Sequence, residues 1–307
     1  MSYLEIKKID KYFDNSKIIK SNSFTVGRGE LVSIVGESGS GKTTLLRCIA
    51  GLENIERGKI FLNSIDITSV AVSKRPISFV FQQSPLFPHL SIYENILFNL
   101  KQYDHILLNQ LITNLKISTI LNKFPHQISG GENQRVAVAR SLVRKPSLML
   151  LDEPFNHLDV QIKEKLKKII VETIRKMNVT TIVVSHNVSD ALNISDKILV
   201  LQNGKIADYS APEKIYKNPS SLYSAKLFGH VNKFKLNDKT ILVRPENIFI
   251  DNKSPISVRV IDSVFFGDKF LIKTQFKNNK IMFYNDTSIE CKRVIKINYS
   301  KEKILNI

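Results

Sequence analysis

The hydrophobic pattern opens with two strand-like runs, YLEIKKI at 3–9 and SFTV at 23–26, either side of the turn-prone DNS at 14–16. LVSIV at 31–35 is a short apolar strand, and TLLRCIAGL at 44–52 has a helical texture. GLENIERGKIFLNSIDIT then supplies a Gly-led turn and a further β-ribbon ending near Ile67, and ISFVFQQ, Ile77 to Gln83, is an apolar strand ending in amides. From Pro85 to about Lys123 the period becomes helical. SIYENILFNL begins at Ser91 with Glu94 three residues on, the S-x-x-E of a capping box, and ILLNQLITNL follows. Pro125 and HQISGGENQR break this pattern, and ENQRVAVARSLVRK resumes it as an amphipathic helix.

LMLLDEP, Leu148 to Pro154, predicts a buried strand that delivers two carboxylates at its C-terminal end. Apolar residues at 162, 166, 169, 170, 174 and 177 predict a helix over 160–177 with one buried face. TTIVVSH is another buried strand, ending in His186. KILVLQ and KIADY flank Asn203-Gly204, a pair suited to a type I′ turn, and so form a hairpin. A short helix from Pro212 to Tyr216 precedes the linker-like NPSS at 218–221. After about Phe234 the texture changes to short β-type runs (TILV, NIFI, SVRVIDSVFF, KFLIKTQF, KIMFY, KRVIKINY) with no helical period. The fold class expected is therefore α/β followed by a small all-β barrel or sheet domain of about 70 residues.

Length agrees with two domains: 307 residues exceed what one core usually fills, and a hydrophobic fraction of 43% is ordinary for a globular chain. No apolar run reaches the ~18 residues of a membrane span, and MSYLEIKK has no apolar segment behind it, so a cytosolic chain is expected. Cys48 and Cys291 are too few for a disulfide framework and suit no metal site; both read as reduced and structural. Lys and Arg number 45 against 28 acids, a net charge of +17. Because the lysines are spread along the chain, the charge reads either as a solvated surface or as attraction toward anionic lipid headgroups.

The chemistry gathers around GESGSGKTT, which fits G-x-x-x-x-G-K-[ST] between a strand and a helix. Gly36, Glu37, Ser38, Gly39, Ser40, Gly41, Lys42, Thr43 and Thr44 would wrap a phosphate in backbone N–H groups at a helix N-terminus. Lys42 would reach the β- and γ-phosphates, and the Thr43 hydroxyl would ligate Mg²⁺. Ser129, Gly130 and Gly131 form a second small-residue loop before a helix, hence a second phosphate site that need not serve the same nucleotide within one subunit and so hints at a dimer. Gln82, at a strand end, can ligate Mg²⁺ or orient a water. Asp152 reads as a residue of the Mg²⁺ site and Glu153 as the group that polarises the attacking water. His186 falls at the same edge. Each of these residues alone is weak, since paired acids also cap helices and a lone His is more often structural. An exposed aromatic for stacking a base is Phe13, with Tyr12 the alternative.

Jointly, the motifs resemble the ATP-binding cassette ATPases, in particular the cytosolic nucleotide-binding subunit of a bacterial importer, over residues 2 to about 230. GESGSGKTT resembles the Walker A motif, Gln82 the Q-loop, ISGGENQR the signature loop and LMLLDEP the Walker B motif. Leu158 and Asp159 resemble the end of the D-loop, and VSH the switch histidine. The resemblance implies a mixed sheet core with an antiparallel β subdomain and a helical subdomain at about 84–144, in a cassette spanning 1–232. LVRPENI and VFFGD resemble the TOBE-like, OB-like β domain of importers of ferric iron, sulfate, polyamines and sugars, here 233–307 and shorter than usual. FNHLD in the D-loop, Ile128 opening the signature and a compressed 95–125 segment depart from the family pattern.

The resemblance further implies ATP and Mg²⁺ as ligands and a head-to-tail pair with a second copy, in which Ser129, Gly130, Gly131 and Asp159 serve the partner's nucleotide. Lys42, Gln82, Glu153 and His186 would be catalytic, with Thr43, Gln82 and Asp152 around the metal. Integral-membrane permease subunits would be partners at the inner face of the plasma membrane, with a periplasmic or lipoprotein solute-binding protein reached through them, and nucleic acid would not. A soluble cassette ATPase of translation or DNA repair and an exporter subunit are the alternatives. The first usually carries two cassettes, where this chain has one, and the β-tail disfavours the second.

Overall fold

A computed structural model describes residues 2–83, 85–156, 160–236, 239–305 and 307. The chain divides into two compact units, 1–212 and 213–307.

In the first unit β1 (Ser2–Phe13) and β2 (Ser16–Gly27) form a long antiparallel hairpin, which β4 (Arg57–Leu62) and β5 (Ile65–Asp66) extend into a four-stranded sheet of order β2-β1-β4-β5. The second sheet has six strands. It combines β3 (Leu31–Val35), β6 (Ile77–Val80), β7 (Leu148–Asp152), β8 (Thr180–Val184), β9 (Lys197–Gln202) and β10 (Lys205–Ser210) in the order β10-β9-β3-β8-β7-β6. All neighbours in it are parallel except the β9–β10 hairpin. Parallel strands are covered on both faces, and every residue of β3, β7 and β8 is buried.

The period-two alternation decides which core each side chain joins. Leu148 and Leu150 of β7 face one core, shared with the antiparallel sheet and with Leu45, Leu46 and Ile49 of α1 (Lys42–Ala50). Met149 and Leu151 face the other, shared with α4 (Gly130–Leu142), α5 (Val160–Lys176) and the helical segment. Burying the three α1 side chains fully contributes about 2 kcal/mol each. α1 is thus clamped between the two sheets.

The helical segment holds α2 (Ile92–Leu97) and α3 (His105–Asn114) ahead of α4. Its expected start falls at Ser84, outside the described residues. The capping box read at Ser91 is formed, the Ser91 hydroxyl accepting from Glu94 N while Ser91 N donates to the Glu94 carboxylate. α6 (Val188–Ile194), opened by the Asn187 side chain, was not anticipated.

The second unit holds most of α7 (Pro212–Lys217), then α8 (Leu222–Leu227), a ribbon of β11 (Asn232–Leu236) with β12 (Lys239–Val243), and a five-stranded antiparallel sheet. That sheet runs β13 (Ile248–Ile250), β17 (Val294–Tyr299), β14 (Ile256–Phe266), β15 (Lys269–Phe276), β16 (Asn279–Asn285). The Asn232 amide bonds both Met282 N and Met282 O, fixing the ribbon onto β16.

The texture changes near Phe234 and the resemblance implies a cassette over 1–232, while the second compact unit begins at 213. The reason is Arg244, only 2% exposed, whose guanidinium donates to Tyr216 O and Ala225 O and stacks 3.9 Å from the Tyr216 ring. A buried cation needs such acceptors, and they lie on the two helices, which therefore belong with the β unit. NPSS is no open linker, because Ser221 caps α8 by accepting from Ser224 N.

Candidate functional site

Four chain segments meet because their strands are parallel. β3, β6, β7 and β8 all end at one edge of the sheet, delivering respectively the loop from Gly36, the segment at Gln82, Asp152-Glu153 and Ser185-His186. Gln82 and His186 lie beyond their strands, which stop at Val80 and Val184.

The glycine-rich loop is held by neighbours rather than by its own side chains. Gly36 passes so close to β9 that a Cβ there would lie 2.2 Å from Leu201 O. Gly204 N donates to Ser40 O at 3.0 Å, which pins the loop to the β9–β10 turn. That turn is itself fixed on β2: Lys20 N and the buried Asn22 amide both donate to Gly204 O, and a Cβ on Gly204 (φ 77°) would sit 1.9 Å from Ile18 O. Leu201 and Gly204 are thus part of the loop's frame, although the sequence marked Gly204 only as a turn residue.

α1 begins at Gly41 with no side-chain cap and no acidic residue in its first turn. Its leading N–H groups and dipole therefore remain suited to an anion. Lys42 is buried and donates to Gly36 O at 2.9 Å and Glu37 O at 2.8 Å, with its pKa lowered by that burial. Thr43 Oγ1 donates to Asp152 Oδ1 at 3.0 Å, so hydroxyl and carboxylate oxygens from two elements stand together. Burial pushes the Asp152 carboxyl above its ordinary value, opposed by the Thr43 hydrogen bond. Such a carboxylate gains from a nearby cation, and hard oxygen donors are what Mg²⁺ takes.

Glu153 adopts φ 49°, a left-handed conformation uncommon outside glycine that bends the chain as it leaves β7. Its N–H donates to Val184 O at 3.0 Å, and its Oε2 lies 3.5 Å from Nδ1 of the half-exposed His186. Asn156 Nδ2 donates to the same oxygen. Asn156 was not singled out in the sequence; the only signal was a larger residue in FNHLD where the family often has small ones.

Ser129 caps α4 in a complete capping box with Glu132: its hydroxyl accepts from Glu132 N at 3.3 Å, and Ser129 N donates to the Glu132 carboxylate at 2.8 Å. Ser129 and Gly130 line a cavity of about 540 Å³ together with Gln82, Gln83 and Asn156. Gly131, next in α4, is buried. Among the described residues, those of the Gly36–Thr44 loop do not line this cavity. Phe13 is 42% exposed at the end of β1, with Lys11 Nζ 4.9 Å from its ring centre, and Tyr12 has Lys17 at 5.4 Å. The expected D-loop residues Leu158 and Asp159 lie outside the described residues.

Residues 19–156, which contain the loop, the cap and the paired acids, match the ABC transporter family profile. The chain is 36% identical to the spermidine/putrescine import ATP-binding protein PotA of Aggregatibacter actinomycetemcomitans, over 81% of this chain and 68% of that one. The chain belongs to the ABC transporter family. A second ABC relative, the Fe(3+) ions import ATP-binding protein FbpC 1 of Pectobacterium atrosepticum, is 31% identical over 92% of this chain and 89% of its own length. Among solved ABC structures, the cassette MJ0796, a dimeric post-hydrolysis state bound to ADP and Pi, superimposes with a TM-score of 0.60 at 27% identity, covering 68% of this chain and 98% of that one.

Proposed function

We infer that this chain is the ATP-hydrolysing subunit of a bacterial ABC importer. The observation that carries the reading is the meeting of Lys42, Thr43, Asp152 and Glu153 at one sheet edge, with the Thr43–Asp152 contact of 3.0 Å at its centre. Relatives named for polyamine and ferric iron import support the transport assignment. The transported solute is set by the membrane and binding-protein partners.

ATP lies with its phosphates along Gly36, Glu37, Ser38, Gly39, Ser40 and Gly41, receiving N–H donors from the start of α1, including Thr44. Lys42 exchanges its two carbonyl acceptors for β- and γ-phosphate oxygens, a trade favoured by the greater strength of charge-assisted bonds. Phe13, or else Tyr12, stacks on the base. Thr43, Asp152 and Gln82 would hold Mg²⁺, which supplies neutralisation of phosphate charge. Glu153 takes a proton from the water that attacks the γ-phosphorus in line, and His186 donates to the γ-phosphate.

Ser129 and Gly130 line a cavity that the residues of the glycine-rich loop do not line, which supports the reading that Ser129, Gly130 and Gly131 serve a second copy's nucleotide, a role that Asp159 shares in this reading. The relative solved as a dimer supports such a pair. Permease subunits take up the resulting motion through the helical segment. Among the described residues no helix is long and apolar enough to cross a membrane, in keeping with peripheral attachment through the permease. Residues 233–307, within the second unit, form a TOBE-like domain in this reading, and a solute-binding protein delivers cargo to the permease.

Glu153→Gln should bind ATP normally and lose hydrolysis, by about a hundredfold or more if Glu153 is the base. Pull-down of this variant with ATP from native membranes should bring a polytopic permease. Hydrolysis near the wild-type rate would refute the assignment of Glu153, and ribosomes in place of a permease would refute the transport role.

A further inference from the structure

Asn156 sits three residues after Glu153 in the turn that leaves β7. The turn is fixed at several points. Glu153 N–H is bonded to Val184 O, Asn156 N–H returns to Glu153 O at 3.4 Å, and Phe155, 3% exposed, is packed in the core shared with α4 and α5. On that frame the Asn156 side chain folds back so that Nδ2 donates to Glu153 Oε2. Chemistry sets the amide's orientation: an ionised carboxylate only accepts, so the nitrogen must face it.

The same carboxylate oxygen faces His186 Nδ1. A glutamate side chain has three rotatable bonds, and an unanchored carboxylate samples several orientations. A reacting group displaced by ~1 Å can lose a hundredfold in rate. An amide bonded to one oxygen removes most of that freedom.

We propose that Asn156 is the positioning residue for Glu153, bonding Oε2 so that Oε1 is the oxygen that takes the proton from the attacking water. This rests on the reading of Glu153 as the base. It also gives FNHLD a function: a serine or alanine at 156 would be too short to hold Oε2 in the same way. Asn156 touches neither substrate nor water in this account; it acts through Glu153.

The decisive variant is Asn156→Asp, which keeps the side chain's shape and replaces its donor by an acceptor. In the full-length chain Asn156→Asp and Asn156→Ala should each lower kcat about tenfold while KM for ATP stays within about twofold, since the positioning of a general base is lost and nucleotide binding is not. A structural role alone would spare the isosteric Asp variant. The nucleotide-free protein supplies an independent readout, because the fall in Tm caused by Asn156→Ala should vanish in a Glu153→Ala background, where the amide has no carboxylate to hold. Wild-type turnover in Asn156→Asp, with Glu153→Gln inactive, overturns this proposal alone, as does a Tm effect that persists in Glu153→Ala. Turnover surviving in Glu153→Gln overturns the reading of the base, and the kinetic part of this proposal with it.

Discussion

The two loops that precede α1 and α4 look alike in sequence, each a run of glycine and serine before an amphipathic helix, yet they are built in opposite ways. The α4 loop is self-sufficient: Ser129 and Glu132 satisfy each other's backbone donors within four residues, and an acidic side chain already sits in the first turn. Helix α1 has no side-chain cap and no acid in its first turn, and the shape of the loop before it is imposed by the backbones of Leu201, Gly204 and Ile18. A loop held from outside keeps its shape without a side-chain cap, and an uncapped helix N-terminus can receive phosphate. A self-capped loop has already used part of that capacity. The α1 loop should therefore bind nucleotide in a single chain, whereas the α4 loop should contribute only when a second copy brings a nucleotide to it.

The largest test of this contrast is Lys42→Ala against Ser129→Ala. Loss of Lys42 removes charge-assisted bonds of about 3 kcal/mol in total, so ATP affinity by calorimetry should fall roughly a hundredfold. Ser129→Ala should leave single-chain affinity within about twofold and weaken ATP-dependent pairing instead, read as dimer fraction by size-exclusion chromatography. Equal losses of single-chain affinity in the two variants would mean that the loops are not different in kind.

Next in size is Gly204→Ala, remote in sequence from either loop. The added Cβ would collide with Ile18 O, and φ 77° disfavours it further. A cost of about 2 kcal/mol in stability is expected, as for other mutations at special backbone positions. Because Gly204 N holds Ser40 O, ATP affinity should fall together with Tm. A lowered Tm with unchanged affinity would show that the α1 loop keeps its shape without the turn.

The smallest effects belong to the self-capped loop. Glu132→Ala should cost about 1 kcal/mol or less, and Glu132→Gln, which can still complete the box, only a few tenths. The Ser129 N–H bonded to the Glu132 carboxylate lowers its pKa from the ordinary 4.5. A depressed carboxyl stabilises the fold above its unfolded value, and the contribution is lost as pH falls through the lower folded one. The stability difference between wild type and Glu132→Gln should accordingly shrink in acid below about pH 4.5. A difference constant from pH 7 to pH 3 would dismiss the charged cap.

Much of the first unit was legible because its signals are local. GESGSGKTT between a strand and a helix, the box at Ser91 and Glu94, the NG hairpin and the buried strand LMLLD are periodicities and turn preferences that need few long-range contacts to be read. α6 and α8 were missed because each is short and carries little periodicity of its own; Asn187 and Ser221 cap them, and neighbouring packing supports them. The compact units divide at 212/213 and not where composition changes, for a related reason. Composition changes where strands replace helices, whereas the physical unit includes whatever satisfies Arg244.

By itself the sequence determined the residue types and spacing of the phosphate loop, the carboxylates after β7, the alternation that gives β7 two buried faces, and the family resemblance. Tertiary structure alone decided that Gly204 and Leu201 frame the phosphate loop, that Asn156 holds Glu153, and that α7 and α8 belong to the second unit. The division is physical. Caps, turns and amphipathic faces are written within a few residues, whereas a backbone carbonyl that meets a glycine over a hundred residues away leaves no mark on composition or period.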